Sequence, residues 1–86
     1  MDITKLIAIV KKKLELNFSI EDIKIEDKSF LHKNHPNNQK GKFHLKISIT
    51  SEELKLMSKI ESNRKIYKVL DDEINESIHS IQILIR

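Results

Sequence analysis

Ile3, Leu6, Ile7, Val10 and Leu14 recur at spacings of three and four. That pattern lines one face of a helix and predicts an amphipathic helix at the start of the chain. Asp2 stands where a carboxylate can accept from the free N–H groups of a first turn. Lys11, Lys12 and Lys13 are expected near the far end, where the helix dipole favours cations, and Asn17 is expected to stop the helix. The period then changes. Ile23 and Ile25 alternate with Lys24 and Glu26, which predicts a short strand near 22–28. Phe43, Leu45, Ile47 and Ile49 alternate with His44, Lys46, Ser48 and Thr50, the clearest strand in the chain, with one face buried. Ser51-Glu-Glu-Leu54 opens a short turn or helix. Ser58 followed by Glu61 fits a capping box. Ile60, Tyr67, Leu70 and Ile74, joined by Ile66 and Val69, then continue a helical face to about Glu76. Residues 78–85 read as a last strand, buried on both faces for part of its length.

The order helix, strand, strand, helix, strand predicts one α+β domain spanning residues 1–86. Its expected architecture is a three-stranded sheet with both long helices packed on one face. The first two strands are expected to pair antiparallel across a long polar connection, and loops of that length in small domains are often functional. Phe18, Phe43 and Tyr67 are expected in the core. Strand alternation places His79 on the same face as Ile81, Ile83 and Ile85, at the core's edge. A chain of 86 residues suits a single small domain of modest stability.

Charge sharpens the picture at one place. The net charge is +3, and five lysines with no acid lie between Lys28 and Lys46. A local basic patch attracts phosphate or an acidic partner, although a solvated loop has the same composition. With no cysteine, the chain supplies neither a disulfide nor a thiolate ligand, which fits a reducing compartment. No apolar run approaches the ~20 residues that cross a bilayer, and the acids at Asp2 and Glu15 do not suit a signal peptide. A cytoplasmic protein without membrane attachment is expected. There is no P-loop, no dinucleotide fingerprint and no nucleophile elbow. Asp71, Asp72 and Glu73 are expected on a solvated helix face. No catalytic signature is evident, and enzyme activity is not expected.

Four histidines remain: His32, His35, His44 and His79. Imidazole suits Zn, Cu, Fe and Ni. His32 and His35, three apart in the polar stretch, are a weak signal taken alone, because exposed side chains show the same spacing. His79 opens the last strand, and by itself its ordinary role is a satisfied ring at the core's edge. Nucleic-acid binding is the other candidate. Arg64, Lys65 and Lys68 cluster on the second long helix, where contacts to phosphate would be salt-dependent and weakly specific. Three Phe and one Tyr offer no evident stacking platform. A KH domain has a similar element order, but its GXXG clamp is missing.

Taken together, these segments resemble the BolA family over nearly the whole chain. Asp27-Lys-Ser29 followed by Leu31-His32-x-x-His35 resembles the family's D-x-S-x-L-H-x-G-H loop. His44-Leu-Lys-Ile-Ser-Ile-Thr-Ser51 resembles the strand H-F-x-V-x-[VI]-x-S. Arg64-Lys-Ile-Tyr67-x-x-Leu70 resembles R-x-[VI]-Y-x-x-L, and Ile78-His79-Ser80-Ile81 resembles V-H-A-L. Each segment is short; four in order at compatible spacing are specific. The chain departs from the pattern at Asn34 and Leu56, where the family has glycine. It departs again at Ser62-Asn63-Arg64, which keeps only the last residue of an R-H-R triplet.

The resemblance implies a class II KH-like α-β-β-α-β fold and a non-enzymatic partner of a monothiol glutaredoxin of the CGFS type. Such pairs share a 2Fe-2S cluster. The glutaredoxin brings a cysteine and a glutathione thiol, and the BolA-like partner brings a C-terminal histidine and a loop histidine or cysteine. Carried onto this chain, those positions are His79 and His35, with His32 as the alternative loop ligand. Two imidazoles can replace two thiolates on one iron, as in Rieske centres. Ligation needs neutral imidazole, so cluster retention is expected to fall below about pH 6. The isolated chain is expected to be a monomer without a cluster. The resemblance also implies a second reading, a DNA-binding regulator of stress response and cell morphology, which would use Arg64, Lys65 and Lys68.

Overall fold

In the computed structural model, which describes residues 2–29 and 43–86, Leu6, Val10 and Leu14 are completely buried along one face of helix α1 (Ile3–Asn17). Asp2 caps that helix by accepting from the Lys5 N–H at 2.9 Å, as expected. The helix ends at Asn17, whose side-chain amide donates back to the Lys13 carbonyl at 2.7 Å. The chain then passes through β1 (Asp22–Asp27), β2 (Phe43–Thr50), α2 (Glu52–Lys55), α3 (Lys59–Val69), α4 (Asp71–Glu76) and β3 (Ile78–Ile85).

The strands form one mixed sheet in the order β1-β2-β3. β1 pairs antiparallel with β2, setting Ile23 opposite Ile49 and Ile25 opposite Ile47. β2 pairs parallel with β3, setting Leu45 beside Ile81, Ile47 beside Ile83 and Ile49 beside Ile85. A parallel pair needs a long crossover, and α2 to α4 supply it. Leu45, Ile47 and Ile49 meet the helices in one hydrophobic cluster with Leu6, Val10, Leu14, Phe18, Leu54, Ile66 and Leu70. The opposite face carries Lys24, Glu26, Lys46, Ser48 and Thr50 around a shallow polar depression. This is the expected α+β arrangement. Most of the long β1–β2 connection lies outside the described residues.

Ser51 joins the sheet to the helices. It is fully buried, its hydroxyl donates to the Ser19 carbonyl at 2.7 Å, and the same oxygen caps α2 by accepting from the Leu54 N–H at 3.2 Å. The expected short helix after Ser51 is therefore pinned to the α1–β1 junction.

Four expectations need correction. The second long helix does not run unbroken to Glu76. It stops at Leu70, which turns out of helical geometry at φ −99° and ψ 17°, and a new helix begins at Asp71. Neither Gly nor Pro marks this break, but three acids in the first turn of α4 sit where the helix dipole favours negative charge. Tyr67 and Ile60 are not core residues: they are 45% and 71% exposed. The buried residues of α3 are Ser62 and Ile66, followed by its buried cap residue Leu70, and each residue turns the helix by about 100°, so Tyr67 and Ile60 lie off that stripe. Lys11, Lys12 and Lys13 do not occupy the last turn of α1. Finally, Glu73 is not on a solvated face. It is buried, and both its carboxylate oxygens accept from Lys13 Nζ, at 2.9 and 2.8 Å.

Candidate functional site

The first turn of β3 departs from strand regularity. Phe43 is paired with Ile78 and His44 with Ser80, so His79 is an extra residue with no partner on β2. Ile78 is buried, and Ile81, Ile83 and Ile85 pack against the same core. Ile78 and Ile81 are three apart, and a regular strand cannot place both on one face. One extra residue between them restores the parity, as a β-bulge does. His79 is consequently exposed and does not share the face of Ile81, Ile83 and Ile85, contrary to the alternation expected. The odd spacing of Ile78 and Ile81 was the sequence signal for this.

The bulge sets His79 against a second histidine. The rings of His44 and His79 lie with centroids 4.8 Å apart and planes inclined at 57°. His44 is only 5% exposed, although it alternates with the polar side chains of β2. Its Nδ1 lies 2.6 Å from Ser80 Oγ. Its backbone N–H donates to Ser29 Oγ at 3.1 Å, and its carbonyl accepts from the Lys28 N–H at 2.7 Å. Ser29 is itself fixed, because its N–H donates to Asp27 Oδ1 at 2.9 Å. The Asp27-Lys28-Ser29 segment that leads into residues 30–42 is thus tied to the start of β2, next to His79. His32 and His35 lie outside the described residues. His44, placed by sequence reasoning only at a strand start, is the residue of this site that such reasoning missed.

An open groove of about 480 Å³ borders His79, lined also by Tyr67, Asp71, Ile74, Ile78 and Ile81. Exposure of Tyr67 therefore has a local consequence: the phenol faces the groove that His79 borders. Arg64, Lys65 and Lys68 are exposed on α3, take no part in that lining, and form no ion pair among the described residues.

Among the described residues, no group of three His, Cys, Asp or Glu side chains is placed to hold a metal. The accessible His79 imidazole fits a borderline metal such as iron, but one ring leaves the remaining positions to other donors. With no cysteine in the chain, any thiolates must come from elsewhere. No helix among the described residues is long and apolar enough to cross a membrane.

Comparison with known proteins agrees with this architecture. The family model described as BolA-like protein matches residues 14–86. A DNA-binding transcriptional regulator BolA from Haemophilus influenzae is 31% identical over 75 residues, covering 87% of this chain and 70% of that protein. The SufE-like protein 1 of Arabidopsis thaliana, chloroplastic/mitochondrial, is 26% identical over 80 residues, and the match spans 22% of that longer protein. Among solved structures, the BolA domain of SufE1 from Arabidopsis thaliana superposes with a TM-score of 0.77 at 25% identity, covering 92% of this chain and 87% of that one. BolA1 from the same plant gives a TM-score of 0.78 at 21% identity, covering 93% and 88%, a likeness of fold.

Proposed function

The chain belongs to the BolA-like family, and from that premise we propose that it is the non-enzymatic partner of a monothiol CGFS glutaredoxin, sharing a 2Fe-2S cluster in iron–sulfur homeostasis. The observation that carries this reading is His79, an accessible imidazole lifted out of strand pairing by a bulge. A strand residue paired in the ladder and packed on the core would not be available to a group held by another protein. The second ligand on this side is His35, with His32 as the alternative. Both follow the Asp27-Lys28-Ser29 segment that is bonded to His44. A cysteine of the glutaredoxin and the thiol of glutathione complete the set. When bound, the cluster supplies electron storage and transferable iron and sulfide. This chain contributes neutral imidazole nitrogen, which raises the potential relative to thiolate ligation.

The test is co-expression with a CGFS glutaredoxin and anaerobic purification, followed by visible absorption and circular dichroism. The His79→Ala and His35→Ala variants should each form the heterodimer but change the cluster spectrum. A stable heterodimer with a spectrum indifferent to both substitutions would reject the histidines as ligands.

A second reading is favoured by two observations. The Haemophilus relative is named a DNA-binding transcriptional regulator. On this chain, Arg64, Lys65 and Lys68 are exposed and free of ion pairs among the described residues, so they are available to phosphate. None of these three residues lines the groove that His79 borders.

A further inference from the structure

We propose that His44 is a positioning residue for His79: its buried ring, secured by Ser80 and by the backbone bonds to Lys28 and Ser29, holds the exposed imidazole in one orientation. The inference concerns how His79 is presented, and its bearing on a cluster rests on the reading given above.

An exposed side chain on a bulge has several staggered rotamers open to it. A ring packed beside it removes some of them, provided that ring is itself fixed. His44 meets that condition on each side. It is nearly excluded from solvent, and both its backbone N–H and its carbonyl are bonded to the segment preceding residue 30. Its Nδ1 is bonded to Ser80, the residue that immediately follows His79. The inclined approach of the two rings, at 4.8 Å and 57°, lies within the tilted geometries that aromatic pairs favour.

The Ser80 bond explains why a histidine serves better here than a phenylalanine. Phenylalanine would fill the space, but a ring nitrogen adds to the backbone ladder a side-chain bond from β2 to Ser80, the residue on the far side of His79. Burial separates the two roles: His79 is accessible to a partner, whereas His44 is enclosed. Partners that orient a ligating histidine matter to metal sites almost as much as the ligands do.

The experiment begins with the full chain alone, without a cluster, by side-chain NMR. Ring-to-ring NOEs and the χ1-dependent couplings of His79 are measured in wild type, His44→Ala, His44→Phe and Ser80→Ala. Wild type should show one dominant His79 rotamer. His44→Ala should show averaging, His44→Phe should restore much of the order, and Ser80→Ala should fall between. Ser80 is exposed, so its substitution keeps the test open if His44→Ala fails to fold. An averaged His79 in wild type, or an unchanged rotamer in Ser80→Ala and in any folded His44→Ala, would overturn the proposal. In the complex with glutaredoxin, His44→Ala should retain the cluster about tenfold less well without losing the heterodimer. A wild-type pair that never holds a cluster would reject the cluster reading and leave the rotamer result to stand or fall on its own.

Discussion

Lys13 and Glu73, sixty residues apart in sequence, form a two-pronged ion pair that fastens α1 to α4, with Nζ 2.9 and 2.8 Å from the two carboxylate oxygens. The partners are not equally enclosed: the carboxylate is nearly buried, while the ammonium side chain is about one-third exposed. Removing the lysine would strand a carboxylate away from water. Removing the carboxylate would leave an ammonium that water can still reach. Breaking a buried pair costs most when the charge left behind is the enclosed one. Lys13→Met is therefore expected to lower the urea midpoint roughly twice as much as Glu73→Met. Equal drops, or the reverse order, would rule out this asymmetry.

The same pair gives the chain an alkaline sensitivity of known sign. The hydrogen bond to Glu73 pushes the Lys13 pKa above its ordinary value of 10.5, with further help from the charges of Glu73, Asp72 and Glu76 against the opposing effect of burial. A group whose pKa is raised on folding binds its proton more tightly in the folded state. Its contribution is complete below the unfolded value and is lost as pH rises through the folded value. The difference in urea midpoint between wild type and Lys13→Met should be flat from pH 7 to about 10 and shrink above 10.5. A difference that instead grew with alkalinity would contradict the assignment.

The phase of α3 can be tested by two isoleucines six residues apart. Ile66 is completely buried and Ile60 is 71% exposed. Ile66→Ala should cost about 2–5 kcal/mol, the transfer term plus a cavity. Ile60→Ala should stay within about 0.5 kcal/mol of wild type, because it leaves an exposed helical site. Urea unfolding of both variants decides the matter. A large loss at Ile60 would mean that the helix face is wrongly assigned.

These isoleucines also show where the sequence could be read and where it could not. The stripe of α1 and the alternation of β2 each follow one period over their whole length, so the core residues Leu6, Val10, Leu14, Leu45, Ile47 and Ile49 were legible. The stripe of α3 was obscured because serine occupies one of its buried positions. Ser62 satisfies its hydroxyl by donating to the Lys59 carbonyl at 3.1 Å, which lets a polar residue stand where an apolar one was sought. The break at Leu70 falls at a completely buried apolar residue, with neither Gly nor Pro to announce it. At the candidate site, the family resemblance singled out His79 as an expected ligand, but simple alternation misjudged its face. The brace formed by His44 depends on a one-residue bulge, and local periodicity does not carry that information.

Arg64, Lys65 and Lys68 allow the two functional readings to be separated on one molecule. They lie on α3 and do not line the groove that borders His79. If they bind phosphate, the affinity for duplex DNA should fall with salt, and each neutralised phosphate adds about 0.9 to the slope of log affinity against log salt. Replacing all three with alanine should weaken binding regardless of DNA sequence and reduce that slope by about 2–3. The same variant should form the glutaredoxin complex with an unchanged cluster spectrum. His35→Ala combined with His79→Ala should do the reverse, altering the cluster while leaving DNA affinity and its salt slope intact. Fluorescence anisotropy across a salt series, run beside circular dichroism of the complex, reads both properties. Loss of both from either variant would tie the two activities to one surface, contrary to the absence of Arg64, Lys65 and Lys68 from the groove that His79 borders.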